Sequence, residues 1–332
     1  MSVAPVTPAH QVAAVLINWN GRSDCEAALG AIRAQEHPPS EVVVVDNGSQ
    51  DGSLEWFLAQ PDVSVIANPG NLGFAHAANQ GIRMTSAELV LLCNLDVRLD
   101  PDFLAQAVRR MGSAPDVGSV GGLLLREGQA PVVDSAGHVL HRSGWVSNRG
   151  QGGPDRYPTA EEVFGVTAAA AVYRRQMLED VAIFGEVFCE DFFAYLEDVD
   201  LDWRARWRGW RSFFEPRARA THRRGGSGLH RTAAIERHVL ANRALLFLRN
   251  APRSWILGPE CVSAACLVGL RAGLALGRHP EAALGLADAA RLMPRTLRAR
   301  RQIMATRSVG DSEIERWAKP TPWRSLIGSH LG

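Results

Sequence analysis

The chain has 332 residues, enough for one large domain with an appendage or for two domains. Apolar residues make up 46% and charged residues 21%, a balance that supports a large buried core and excludes wholesale disorder. With 36 basic and 35 acidic residues the net charge is +1, which excludes a nucleic-acid binder working by bulk charge. Lys319 is the only lysine, so Schiff-base chemistry has no candidate in the body of the chain. The five cysteines are scattered and form no C-x-x-C pair, against a zinc knuckle or a disulfide framework. Residues 1–10 carry neither a basic nor an apolar signal region, so an intracellular location is expected.

The first hundred residues repeat one unit: a short apolar run, a few small polar residues, then an amphipathic stretch. Strands are predicted at 12–17, 42–45, 63–67 and 89–93, with helices at 24–35, 54–58, 74–84 and 103–111. Apolar runs without alternation between helices predict a parallel sheet covered on both faces. Such sheets bind ligands at the carboxyl ends of their strands. Further strands are predicted at 117–125, 163–172 and 210–214, with Gly-rich loops and short hairpins at 142–157 and a helix at 197–209. Beyond Gly225-Gly226 the composition turns helical, rich in Ala, Leu and Arg, to about residue 304.

Four places carry chemistry. Asp46 ends a strand of four valines and opens Asp-Asn-Gly-Ser, either a turn or a carboxylate at the ligand edge. Asp96 follows the strand at 89–93, where an acid can hold a divalent metal; Asp100 is better placed to cap the next helix. In the helix from 197, Asp200 with Arg204 and Asp202 with Arg206 predict a solvated, salt-bridged face. Glu197 and Asp198 are left over, as helix-dipole partners or as a general base. His222, before a Gly-Gly pair, is either structural or faces a metal or phosphate.

Absent motifs narrow the class. The first strand lacks G-x-G-x-x-G, and neither a P-loop lysine motif nor a G-x-S-x-G elbow occurs. A sugar-phosphate nucleotidylyltransferase would want a Gly-rich basic loop after the first strand, and Asn18-Trp19-Asn20-Gly21-Arg22 is a poor version of one.

Together these blocks resemble the family 2 glycosyltransferases of GT-A fold, and among them the bacterial rhamnosyltransferase-like branch. The resemblance runs from about 12 to 227, on Val44 to Ser49, Asn71-Leu72-Gly73-Phe74-Ala75 through Asn79, Asn94-Leu95-Asp96-Val97, Tyr195 to Leu201, and His222. It implies a Rossmann-like α/β sheet, mostly parallel and flanked by helices, with a helical C-terminal extension. The implied domains are a glycosyltransferase domain at 1–230, a helical region at 231–319 that possibly meets a membrane, and a flexible tail at 320–332.

The resemblance also implies roles. Asp46 and Asn47 would contact base and ribose, while Asn71, Gly73 and Asn79 would shape the donor pocket around a helix start. Asn94 and Asp96 form the D-x-D element, with Asp96 and His222 on a Mg²⁺ or Mn²⁺ ion. Asp198 would be the base, with Glu197 beside it. Asn94 replaces the element's first acid, and Phe188-Cys189-Glu190 stands where relatives often show Phe-Asp-Glu. The implied reaction is inverting transfer from a nucleoside-diphosphate sugar, dTDP-rhamnose foremost, to a glycan or polyprenyl-diphosphate-linked acceptor. No Gln-x-x-Arg-Trp element occurs, which implies one sugar per encounter. A catalytically silent homologue is the non-enzymatic alternative. The apolar segment at 255–276, interrupted by Pro259, Glu260 and Arg271, fits a buried helix, an interfacial helix or a span. An interfacial helix would put the protein on the inner face of the cell membrane.

Overall fold

The computed structural model describes residues 10–128, 131–224 and 232–323. The N-terminal part alternates β1 (Val12–Asn18), α1 (Arg22–Arg33), β2 (Glu41–Asp46), α2 (Ser53–Leu58), β3 (Ser64–Ala67), α3 (Phe74–Met84) and β4 (Leu89–Asn94). There follow β5 (Val97–Leu99), α4 (Phe103–Met111), β6 (Val117–Arg126), β7 (Val133–Ser135), β8 (His138–Leu140), β9 (Val146–Asn148), β10 (Glu161–Val163), β11 (Ala170–Arg174) and α5 (Arg175–Asp180). The last third holds α6 (Glu197–Trp207), β12 (Arg211–His222), α7 (Ala233–Asn250), α8 (Arg253–Leu257), α9 (Pro259–Arg278), α10 (Leu284–Thr306) and α11 (Asp311–Glu315).

The main sheet runs β3-β2-β1-β4-β11-β6-β12-β10, with β5 on β12 and β7 on β6. β1 to β4 are mutually parallel, as their uniformly apolar runs require, and β12 runs parallel to β6. β11 is antiparallel to both β4 and β6 and closes the gap between the two parallel halves. Register sets the site. Asn18 lies beside Asp46, Ile17 beside Asn94, and His222 beside Val97, so the ends of β1, β2, β4 and β12 reach one edge. Beside the main sheet, β8 and β9 form a separate hairpin. Lys319 extends this hairpin, donating its N–H to Leu140 and accepting from Arg142, each at 2.9 Å.

Several expectations need correction. The strand expected at 163–172 is two, because residues 164–169 leave the sheet to meet α6. There Val166 N–H reaches Asp202 and Ala168 N–H reaches Asp198, each at 3.2 Å. The strand expected at 210–214 continues to His222, with its register slipping between Glu215 and Arg219 around Pro216. α6 does not present a solvated face. Asp200 does pair with Arg204, at 2.8 Å, but both are buried. Asp202 bonds His138 instead of Arg206, and Arg206 turns to Glu162. The reason is packing: α6 is sandwiched between the sheet and α7, so its polar side chains find buried partners.

The apolar segment at 255–276 is interrupted at Gly258, and Pro259 opens α9 at a position where its missing N–H costs nothing. α9 has the length and composition to cross a membrane over Pro259–Gly277, yet only 22% of that stretch is buried within the protein, unlike a core helix. Of the tail expected at 320–332, residues 324–332 lie outside the described residues.

Candidate active site

One edge of the sheet is built from strand ends. Asp46 is fully buried: Oδ2 accepts from Asn18 Nδ2 at 2.5 Å and Oδ1 from Ser49 N–H at 2.9 Å, so it fixes the loop after β2. Asn47 donates to the Gly73 carbonyl at 3.2 Å and accepts from Asn68 at 2.9 Å. Asn71 accepts the Gly73 N–H at 2.9 Å. Gly73 has φ +91°, and a Cβ there would lie 2.6 Å from the Phe193 carbonyl oxygen, so only glycine fits. That carbonyl accepts the Ala75 N–H at 3.1 Å. Two N–H groups at the start of α3 are thus spent inside the protein. Asn79 lies away from this edge in its bonding. Its amide donates to Phe188 O and Glu190 Oε1 and accepts from Phe188 N–H, all within 2.9 Å, and so latches α3 to the segment before α6.

The fourth strand end brings Asn94 and Asp96 to the same edge. Asn94 N–H bonds Ala169 O at 2.9 Å, next to the Ala168 that holds Asp198. Asp96 Oδ1 lies 3.3 Å from Nε2 of His222, while Nδ1 of that ring bonds Asp134 Oδ2 at 2.8 Å. Burial opposes charge on this imidazole, but Asp134 and Asp96 outweigh it and raise its pKa to about 9. The two carboxylates thus favour the charged form of the His222 ring itself. Burial works against the Asp134 carboxylate, yet His222 and Arg224 bring its pKa below the ordinary value.

The opposite wall is the start of α6. Asp198 is partly exposed, at 16% of its side chain, with Oδ2 accepting from Ala168 N–H and Oδ1 from Val199 N–H at 2.8 Å. Glu197 is buried with Oε2 lacking a hydrogen-bond partner among the described residues, and burial with Asp198 nearby raises its pKa well above normal. Glu197 therefore sits buried beside the partly exposed Asp198. The turn entering α6 is unusual: Phe193, Tyr195 and Leu196 all have positive φ, at 59°, 71° and 70°. Asn242 of α7 holds this turn, its Nδ2 donating to the carbonyls of Phe192, Ala194 and Tyr195 at 2.8, 3.0 and 2.8 Å. His238, one turn earlier on α7, stacks on Phe193 at 4.6 Å and 8°. Burial first, with the Glu197 and Asp96 carboxylates, raises the pKa of the Tyr195 hydroxyl.

The structure thus joins Asp96 to His222 and sets Asp198 beside the same edge. Asp134, His138, Tyr195, Asp202 and Asn242 were not singled out as site residues from the sequence. Each gains its place only through contacts between distant segments.

The sequence matches the pattern of glycosyl transferase family 2 over residues 14–182, half of the chain. The chain belongs to that family. It is a glycosyltransferase of GT-A fold using nucleotide-sugar donors, which sets aside the nucleotidylyltransferase. It is 25% identical over 292 residues to the N-acetylglucosaminyl-diphospho-decaprenol L-rhamnosyltransferase of Mycobacterium tuberculosis, covering 80% of this chain and 91% of the relative. Among solved structures, it resembles a mannosyltransferase from Pyrobaculum calidifontis in complex with GDP-Man and Mn²⁺. The TM-score is 0.54 at 19% identity, over 90% of this chain and 86% of that one. It also resembles GalNAc-T7 with UDP, GalNAc and Mn²⁺, at TM-score 0.59 and 12% identity, over 75% of this chain and 49% of that one.

Proposed function

We propose that this glycosyltransferase moves L-rhamnose from dTDP-rhamnose to a hydroxyl of a polyprenyl-diphosphate-linked glycan in cell-surface polysaccharide synthesis, with inversion at the anomeric carbon. The catalytic domain is residues 1–230, and the helical region at 231–319 rests on the inner face of the cell membrane. The observation that carries the reaction is the pairing of Asp96 with His222 at the sheet edge, with Asp198 held by Ala168 next to the Ala169 carbonyl that takes the Asn94 N–H. The similarity to a rhamnosyltransferase along 91% of its length supports the choice of sugar and acceptor.

The residues present fit a divalent ion. Asp96 offers a carboxylate, and Asp134 takes Nδ1 of His222 so that Nε2 faces Asp96, a carboxylate-oriented imidazole of the kind found at metal sites, where an ion would have to displace the proton that the two carboxylates favour on the ring. Among the described residues there is no group of three or more such side chains that could hold a metal, so the donor diphosphate must complete the shell. When bound, Mg²⁺ or Mn²⁺ would neutralise charge on the leaving diphosphate.

Asp198 supplies the base. Its oxygens are oriented by the Ala168 and Val199 N–H groups. One of them accepts the proton from the acceptor hydroxyl as that oxygen bonds the anomeric carbon and the carbon–diphosphate bond breaks. Among the described residues this reading assigns no second carboxylate as a nucleophile, in line with single displacement. Asp46 and Asn47 shape the base and ribose pocket through the loop after β2, with Asn71 and Gly73 packing beneath it and Asn94 lining the edge. Asn79 supports the pocket through its latch to Glu190.

The test is thermal stabilisation by dTDP, UDP, GDP and their sugars with and without Mn²⁺, in the native protein and Asp96→Ala. Metal-dependent stabilisation by dTDP and dTDP-rhamnose alone, lost in Asp96→Ala, is expected. A metal-independent response, or one equally strong in Asp96→Ala, would overturn the metal assignment; preference for another nucleotide would overturn the sugar.

A further inference from the structure

Behind Asp198 lies a buried group that the reaction as described does not use. His138, on β8, is fully enclosed, and its Nδ1 bonds Asp202 Oδ2 at 2.7 Å. Its Nε2 lies 3.9 Å from Asp198 Oδ2, inside electrostatic contact and beyond hydrogen-bond length. Asp202 and Asp198 are four residues apart, so α6 presents both to the same side. The imidazole sits between them. Asp202 is fixed in turn by the Val166 N–H at 3.2 Å. Gly165 makes room for it: a Cβ there would lie 1.8 Å from Asp202 Oδ2, so any other residue would drive Asp202 off its bond to His138.

The surroundings favour a proton on the pair. Burial opposes charge on His138, but Asp202 and Asp198 outweigh it and raise its pKa above the usual value. Burial pushes Asp202 up to about 6, against the pull of His138. The other ionisable groups of this pocket are the buried Tyr173 hydroxyl on β11, which feels Asp202, Asp198 and Glu197, and Arg206, which feels Asp202. Neither bonds Asp198.

We infer that His138, held by Asp202, is a positioning residue for the base, setting the orientation and charge balance of Asp198 from behind while the acceptor approaches from in front. The arrangement follows the logic of a carboxylate that orients an imidazole toward a reacting group, with the imidazole here serving a second carboxylate. A proton taken by Asp198 from the acceptor arrives beside a pair that already carries one, so His138 favours the proton's return to solvent after transfer. The inference rests on Asp198 being the base.

His138→Asn tests it, because the shorter amide can still donate to Asp202 but leaves nothing facing Asp198. Rates are read on the full chain with dTDP-rhamnose and a short-chain polyprenyl diphosphate N-acetylglucosamine, from pH 5 to 9. We expect kcat to fall about tenfold or more, donor KM to stay within about twofold, and the acid limb of kcat/KM to move up by about one pH unit. His138→Gln, which returns an amide toward Asp198, should recover part of kcat. A variant that folds yet keeps the native acid limb and the native ratio of kcat to KM would overturn the inference. If neither variant folds, or the substrates give no turnover, the ¹⁵N imidazole shift of His138 decides. Its titration midpoint should fall in Asp198→Asn, and an unchanged midpoint would overturn the inference. Full transfer by Asp198→Asn would instead overturn Asp198 as base, a distinct failure.

Discussion

The two walls of the cleft are held in place by different means. At the edge proposed for the donor, Asp46 ends a strand and Asn71 lies in the loop before α3, and both bond neighbours in the sheet or the loop: Asp46 with Asn18 and Ser49, Asn71 with Gly73. At the base edge almost every contact crosses between segments far apart in sequence. Asn242 grips the Phe192–Tyr195 carbonyls from α7, His138 reaches α6 from a separate hairpin, and Arg249 and Asn250 bind Asp200 inside the protein. The wall proposed for the donor therefore depends on the sheet, and the wall proposed for the base on segments distant in sequence. Damage to α7 should reach catalysis without touching donor binding.

The strongest test removes a charge at the junction. Asp200 is fully buried; burial raises its pKa, but Arg204, Arg249 and Asn250 pull it below the ordinary value. Arg249→Met strips one of its two cations and should cost about 3 kcal/mol in urea unfolding. Loss within 0.5 kcal/mol of native stability would show that α6 does not need α7. A smaller effect is expected from Asn242→Ala, which orphans carbonyls of a turn whose backbone is already strained. The stability cost should be about 2 kcal/mol, with kcat down at least about tenfold and the dTDP-rhamnose affinity unchanged by calorimetry. Equal losses of kcat and donor affinity would erase the distinction between the walls.

The smallest effect is in pH dependence. The folded-state pKa of Asp202 is about 6, above the ordinary carboxyl value of 3.8, so the folded protein binds this proton more tightly than the unfolded chain. Its stabilising contribution is complete below pH 4 and is lost as pH rises through 6. Asp200, Asp134 and Glu162 have lowered values; their stabilisation is present above the ordinary carboxyl range and is lost only as pH falls below it. Melting curves from pH 4 to 7 should show stability falling by about 2 kcal/mol across that window, and Asp202→Asn should flatten the decline. A native curve that rises across the window would contradict the buried Asp202–His138 pair.

The sequence was most legible where structure is local. β1, β2, β4, α3 and α4 follow directly from apolar runs and helical spacing, and α3 and α4 agree to the residue. Asp96 and His222 stood out by type and context, and their meeting is a matter of sheet register. Asp198 stood out because its helix offered it no cation at i+4. Asp200 and Asp202 misled for the same reason: i, i+4 spacing predicts pairing within one helix and says nothing of what covers it. Asp134, His138 and Asn242 carry no local signal, since a single polar residue in a short strand or an Ala-rich helix reads as surface. Residues 163–172 read as one strand because apolar composition does not distinguish contact with a sheet from contact with a helix.

One consequence follows from the strand-like docking of Lys319 on β8, the strand that carries His138. Lys319 is exposed and holds the one side-chain amine in the chain. An amine-directed fluorophore would therefore mark, among side chains, the seam beside the hairpin alone. Its anisotropy during turnover would report whether the hairpin stays fixed, with no residue near Asp96, His222 or Asp198 altered.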